Sequence, residues 1–111
     1  MSDTPHRRQI WNVKLDKVRP AIVVSRENMI SGNKEIIVVP LSATIKLGAP
    51  AGVKCFAGMG DLEEDSTALC PLVKALPKSV FKDYIGDLPH SEFGLVLKGV
   101  QHAIHADETV A

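Results

Sequence analysis

The feature that most constrains this chain is the run Arg19-Pro20-Ala21-Ile22-Val23-Val24-Ser25, in which a basic residue and a proline lead straight into four apolar residues. Three of the four are β-branched, and such a short, unbroken apolar run suits a strand buried inside a sheet. Proline has no amide to give to a ladder, so it belongs at the first position of that strand. Arg19 is thereby expected at the mouth of a core strand, on a stiff support. Its planar guanidinium is suited to gripping a phosphate through two hydrogen bonds.

Further short segments follow at turn-punctuated spacing. Gln9 to Leu15 alternates, with Ile10, Trp11, Val13 and Leu15 set among polar residues. It reads as a first strand, joined to Arg19–Ser25 through Asp16-Lys17-Val18 as a hairpin. Residues 28–34, rich in turn formers, read as a loop, and Glu35-Ile36-Ile37-Val38-Val39-Pro40-Leu41 reads as a third strand buried on both faces. After a break at Gly48-Ala49-Pro50-Ala51-Gly52, Val53 to Phe56 reads as a fourth strand, and residues 58–65 as an acidic turn. Ser66 to Val73 reads as a fifth strand in which Pro71 implies an edge position or a bulge, continued over Lys74 to Leu76. Pro77 to Val80 reads as a bend, and Tyr84 to Leu88 as a last short strand.

The C-terminal segment has a different period. Phe93, Val96, Leu97, Val100 and Ile104 recur at helical spacing, with Pro89 suited to the first turn. The expected fold is therefore mainly β, in the α+β class: a small barrel of five to six strands with a C-terminal amphipathic helix. One domain is expected over residues 9–105, between a flexible basic tail at 1–8 and a flexible tail at 106–111.

The 111 residues are 45% apolar and 23% charged, enough to build a core without cross-links. No apolar run approaches the ~20 residues that span a bilayer. The first eight residues lack the apolar segment of a signal peptide, so no membrane association and a cytoplasmic location are expected. Net charge is zero, yet residues 1–54 carry nine Lys/Arg against four Asp/Glu and residues 55–111 carry four against nine. That asymmetry suits a basic face for nucleic acid or the association of two copies, and folding can equally mix the two signs. Cys55 and Cys70 fall on separate strands and read as reduced packing residues. His6, His90, His102 and His105 show no metal-ligand pattern, so no metal or other cofactor is expected.

No phosphate-binding glycine loop and no Gly-x-Ser-x-Gly or His-Glu-x-x-His motif occurs. What remains is a pair of strand ends. If the second and third strands are antiparallel neighbours, Arg19 entering one lies beside Ser42 and Thr44 leaving the other. A guanidinium among hydroxyls binds a phosphodiester and stabilises charge developing on it. The alternative is an arginine capping a strand and a serine starting a turn.

Taken in order, Ile10-Trp11, Arg19-Pro20-Ala21-Ile22-Val23-Val24-Ser25, Ile37-Val38-Val39-Pro40-Leu41-Ser42, Leu62, Asp65-Ser66 and Ile85-Gly86-Asp87-Leu88 resemble the PemK/MazF family of bacterial toxins, relatives of the CcdB gyrase poisons. The resemblance implies an SH3-like barrel, a homodimer and a cognate antitoxin, with DNA contacted only through that antitoxin. It further implies a metal-independent endoribonuclease that cleaves single-stranded RNA by 2′-hydroxyl attack. Arg19 and Ser42 are then the catalytic pair, and Trp11, Lys17, Thr44 and Lys74 the substrate-binding residues; for Trp11, packing in the barrel wall is the alternative to a stacking face for a base. The sequence departs from the family pattern in three places. Arg8-Gln9 replaces a Gly-Asp pair, Asp16-Lys17-Val18 a long hairpin loop, and Pro71-Leu72 an acidic residue and glutamine. The alternative is a toxin that cleaves nothing, either directed at gyrase or binding only its antitoxin. The gyrase-poisoning branch acts through a C-terminal Trp-Gly-Ile, where this sequence has Thr109-Val110-Ala111.

Overall fold

In the computed structural model, which describes residues 4–32 and 34–110, seven strands and two α-helices follow one another as β1 (Gln9–Lys14), β2 (Val18–Val23), α1 (Glu27–Gly32), β3 (Glu35–Ser42), β4 (Gly52–Cys55), β5 (Ser66–Leu69), β6 (Lys74–Pro77), β7 (Phe81–Asp87) and α2 (His90–Val110). Every pairing is antiparallel. The hydrogen-bonded order is β4-β5-β3-β2-β1-β7, with β6 also on β3.

The alternation of side chains along β1–β3 divides the interior in two. Ile10, Ile22, Val39 and Leu41 point into a core that also holds Phe93 and Val96 of α2. Their neighbours Trp11, Val13, Ala21, Val23, Ile36 and Val38 point into a second core, with Ile30 and Leu76. Because successive strand residues face opposite sides, a strand buried on both must be apolar almost throughout. That explains the unbroken apolar runs.

Four expectations need correction. Residues 28–34 are not simply a loop: Glu27–Gly32 form one helical turn and a half, pinned by the buried Ile30 and by Met29 and Ile30 amides on the Arg26 carbonyl. Six residues offer too few apolar positions to show a helical period; Asn33 lies outside the described residues. Ser66 to Val73 is likewise not one strand, because β5 gives way at Cys70–Leu72 to a 3₁₀ turn containing Pro71 before β6 resumes. On β3, Leu41↔Ala68 belongs to β5 and Val38↔Lys74 to β6, so the intervening residues bulge out of one broken ladder. The last strand starts earlier than expected, at Phe81 rather than Tyr84.

The fourth concerns the ends. Residues 1–3 and 111 lie outside the described residues, but Pro5 is buried and Arg7 and Arg8 are fastened down. The Arg8 amide donates to the Val23 carbonyl, its Nη1 donates to the Leu88 carbonyl at 2.6 Å, and its own carbonyl accepts from the Leu88 amide. These bonds hold Arg8 at φ 76°, a left-handed conformation in which glycine is cheaper. At the other end, α2 runs on through Val110, beyond the residue-105 boundary suggested by its apolar stripe.

The barrel is open: β4 and β7 end the sheet without pairing to each other. The 3₁₀ turn Met59–Asp61 lies against β7 instead, with Gly60 backbone pressed onto Gly86. A Cβ on Gly86 would stand 2.3 Å from the Gly60 carbonyl oxygen, whereas one on Gly94 in α2 would meet nothing within 4 Å. Cys55 and Cys70 are free and buried; burial pushes the Cys55 thiol up to about 11 and that of Cys70 upward as well.

Urea unfolding is expected to show Gly86→Ala destabilised by about 1–3 kcal/mol through overpacking. Gly94→Ala is expected to gain about 0.5–1 kcal/mol from helix propensity. Both thiols should resist iodoacetamide at neutral pH in the native protein and react once it is unfolded, since the thiolate is the nucleophile.

Candidate functional site

β2 and β3 place the central pair. Their register runs Val23↔Val38, Ile22↔Val39, Ala21↔Pro40. Continued two residues past the last paired position, it brings Arg19 opposite Ser42. Both line a cleft of about 610 Å³ at the mouth of the α2-side core, together with Lys17, Thr44, Asn12 and Ile85. Four of the six expected site residues, Lys17, Arg19, Ser42 and Thr44, thus share one cavity.

Trp11 and Lys74 do not join them. Trp11 is 5% exposed, with its ring packed edge-on against Phe81 and tilted against Tyr84, and its Nε1 donates to Gln9 Oε1. On β1 it faces the second core, while Asn12, one residue on, lines the cleft. Lys74 sits on β6 and lines a separate groove that shares no residue with the cleft. The described residues hold no group of three or more His, Cys, Asp and Glu side chains placed to bind a metal; the side chain of His105 lies outside them.

Ser42 is nearly buried and heavily used. Its Oγ accepts from the amides of Thr44 at 3.2 Å and Ile45 at 3.0 Å, and lies 3.3 Å from Thr44 Oγ1. With both amides on its lone pairs, the Ser42 hydroxyl proton is left to Thr44 or to a ligand. This serine therefore caps the turn, as the second reading of it had it, and at the same time lines the cleft.

Arg19 is held by the tight hairpin. Val13↔Arg19 and Lys14↔Val18 close β1 on β2, leaving Leu15–Lys17 as the turn. Asp16 in that turn accepts the Lys17 amide at 2.9 Å and lies 3.9 Å from Arg19 Nε. The Lys17 amide first, and then the Arg19 charge, holds its carboxyl below the ordinary aspartate value. At 3.9 Å across a solvent-exposed pair, this contact orients Arg19 weakly and leaves it open to a competing anion.

Sequence reasoning missed the acidic wall. Asp61, Glu63 and Glu64 line the same cleft as Lys17 and Arg19. The acidic turn was legible as a turn, but only the packing of Met59–Asp61 on β7 carries it to the mouth of β2. A carboxylate was missing at Pro71-Leu72, yet the cleft is not short of carboxylates. Asp16 could have been found, because it precedes Arg19 by three residues in a hairpin turn too short to carry it away.

With this geometry in hand, comparison with known proteins is specific. Residues 6–104 match the family model described as PemK-like, MazF-like toxin of type II toxin–antitoxin system. No curated protein sequence matches the chain. Among solved structures, the Mycobacterium tuberculosis toxin MazF-mt6 is similar at 26% identity with a TM-score of 0.78, over 87% of this chain and 96% of that one. A mycobacterial endoribonuclease in complex with its cognate antitoxin aligns at 16% identity and TM-score 0.78, covering 93% and 95%. MazE–MazF of Deinococcus radiodurans aligns at 16% identity and TM-score 0.76, covering 91% and 95%. The family match spans nearly the whole chain, and the chain belongs to the PemK/MazF-like toxins of type II toxin–antitoxin systems.

Proposed function

We infer that this toxin is an endoribonuclease acting on single-stranded RNA without a metal ion. The observation that carries the reading is the meeting of Arg19 with the Ser42 and Thr44 hydroxyls in one cleft. The 2′-oxygen attacks the adjacent phosphorus as its proton passes to a base, and the P–O5′ bond breaks with the 5′-oxygen taking a proton from solvent water. The products are a 2′,3′-cyclic phosphate and a 5′-hydroxyl. Arg19 binds the phosphoryl oxygens and neutralises the charge that grows on them in the transition state. Its own proton is held too tightly to serve as a general acid. Asp16, ion-paired with Arg19, orients the guanidinium, and the carboxylates that line the cleft, Asp61, Glu63 and Glu64, are the groups on hand to take the 2′ proton. Ser42 and Thr44 donate to a phosphoryl oxygen, and Lys17 attracts the backbone as a mobile charge. The acidic wall repels phosphate and so confines the scissile group to the basic side.

Two further parts of the reading follow from the family. The toxin acts as a homodimer, and its antitoxin carries a disordered acidic segment that folds over the cleft and pairs with Arg19. A second reading, a toxin without nuclease activity, is favoured by Asp61, Glu63 and Glu64, which outnumber the two cations lining the cleft.

Unstructured RNA incubated with the protein in excess chelator is expected to yield fragments ending in cyclic phosphate. Arg19→Ala should slow cleavage about 10²–10³-fold; intact RNA would leave the non-catalytic reading, and equal cutting by the variant would remove Arg19 from the mechanism. Ser42→Ala should lose cleavage and also about 1 kcal/mol of stability, because two amides lose their acceptor. Ser42→Thr should restore both. Sedimentation at micromolar concentration should give twice the 12.0 kDa chain mass, and a monomer there would remove the dimer from the account.

A further inference from the structure

Asn12 breaks the pattern of the strand that holds it. β1 lies between β2 and β7, and the residues on either side of Asn12, Trp11 and Val13, are buried. Asparagine is depleted in strands, because its carboxamide competes with the ladder for backbone groups. Here the carboxamide bonds nothing: it is half-buried, lines the Arg19 cleft and makes no hydrogen bond among the described residues. No unpaired side-chain nitrogen or oxygen among those residues is shut away from solvent, so its donor and its acceptor are open to the cleft. The ladder fixes where it stands, in register with Pro20 on β2, one residue after Arg19. A polar group held on a central strand at a local cost, with no partner in the protein, is a feature of binding sites.

The rest of the lining leaves a surplus of acceptors. Arg19 and Lys17 only donate, and both suit phosphate. Asp61, Glu63 and Glu64 only accept; all three are exposed and none forms an ion pair among the described residues. Taking up one proton occupies one of them. The others repel phosphate but bind a neutral group rich in N–H donors, and on RNA that group is the amino edge of a base. Single-stranded RNA presents such edges freely. Guanine offers N1–H and an amino group beside the O6 acceptor. Adenine and cytosine each offer one amino group beside a ring nitrogen. Uracil offers one N3–H between two carbonyl oxygens.

We propose that Asn12, together with a carboxylate of the acidic turn, reads a base next to the scissile phosphate and selects guanine over uracil. The proposal rests on the reading that the cleft takes single-stranded RNA, and not on whether that RNA is cut. Asn12 Nδ2 donates to O6 and its Oδ1 accepts N1–H, while the carboxylate accepts from the amino group. Val18, Pro20, Leu62 and Ile85 give the face of the base an aliphatic surface. Uracil satisfies Asn12 alone and turns a carbonyl oxygen towards a carboxylate, so it is rejected by repulsion as well as by a missing bond. Adenine and cytosine rank between the two.

The test is fluorescence anisotropy with labelled 2′-O-methyl hexanucleotides, which cannot be cleaved. One is all uridine, and the others carry a single guanosine at each position in turn. At its best position guanosine is expected to tighten binding about tenfold or more. Asn12→Ala should lose most of that preference and keep its urea midpoint, since no hydrogen bond within the protein is lost. Asp61→Asn, Glu63→Gln and Glu64→Gln combined should narrow the preference too, because a carboxamide donates to a uracil carbonyl where a carboxylate repels it. Arg19→Ala should weaken every hexanucleotide and leave the ratio unchanged. The proposal is overturned if the uridine hexanucleotide binds as tightly as every guanosine one, if none binds, or if the ratio survives in Asn12→Ala or in the carboxylate variant. Guanosine preference in a protein that leaves RNA intact upholds this proposal and removes the nuclease, whereas cleavage without base preference does the reverse.

Discussion

β3 is the constraint on which the rest of the molecule depends. It is enclosed on both faces, with Val39 and Leu41 in one core and Ile36 and Val38 in the other. It is also enclosed on both edges, by β2 on one side and by β5 and β6 on the other. A strand flanked on both edges and buried along most of both faces has a strongly specified register, because a shift of one residue would exchange the two cores. The Ser25 hydroxyl, accepting the Ile37 amide at 2.6 Å, locks the far end of β2 to it. Arg19 and Ser42 owe their meeting to that register.

The cleft that results is bipolar. Lys17 and Arg19 come from the basic half of the sequence, and Asp61, Glu63 and Glu64 from the acidic half. Folding thus brings charges from both halves of the sequence into one site. The groove beside α2 keeps a single sign, because β2, α1, β6 and the N-terminal segment bring arginine and lysine to it without a facing acidic loop. One small fold thus carries two concavities of different chemistry, one hydrophilic and mixed in charge, the other apolar with a basic rim.

The legible parts of the fold were those carried by local periodicity. Period-two alternation and β-branched runs mark β1, β2, β3 and β4, and the helical repeat of Phe93, Val96, Leu97 and Val100 marks α2. What was illegible had too little local signal. α1 is too short to show a period, and Cys70–Leu72 is apolar enough to pass for strand. The N-terminal residues look like a polar tail until the Arg8 bonds to Val23 and Leu88 are seen. The resemblance put Trp11 and Lys74 at the site. Trp11 faces the other core, and β6 returns Lys74 to the opposite end of β3 from Ser42.

By itself, the sequence determined that the chain folds as a small β structure with one amphipathic helix, and that Arg19 enters a buried strand. Those facts follow from side-chain shape and spacing, which act within a few residues. Only the tertiary structure decided which strand ends meet, which face each residue takes and which sign of charge confronts Arg19. These depend on pairing between segments distant in sequence, and in particular on the antiparallel register that sets Arg19 across from Ser42 and on the Gly60–Gly86 contact that brings the acidic turn over the same cleft.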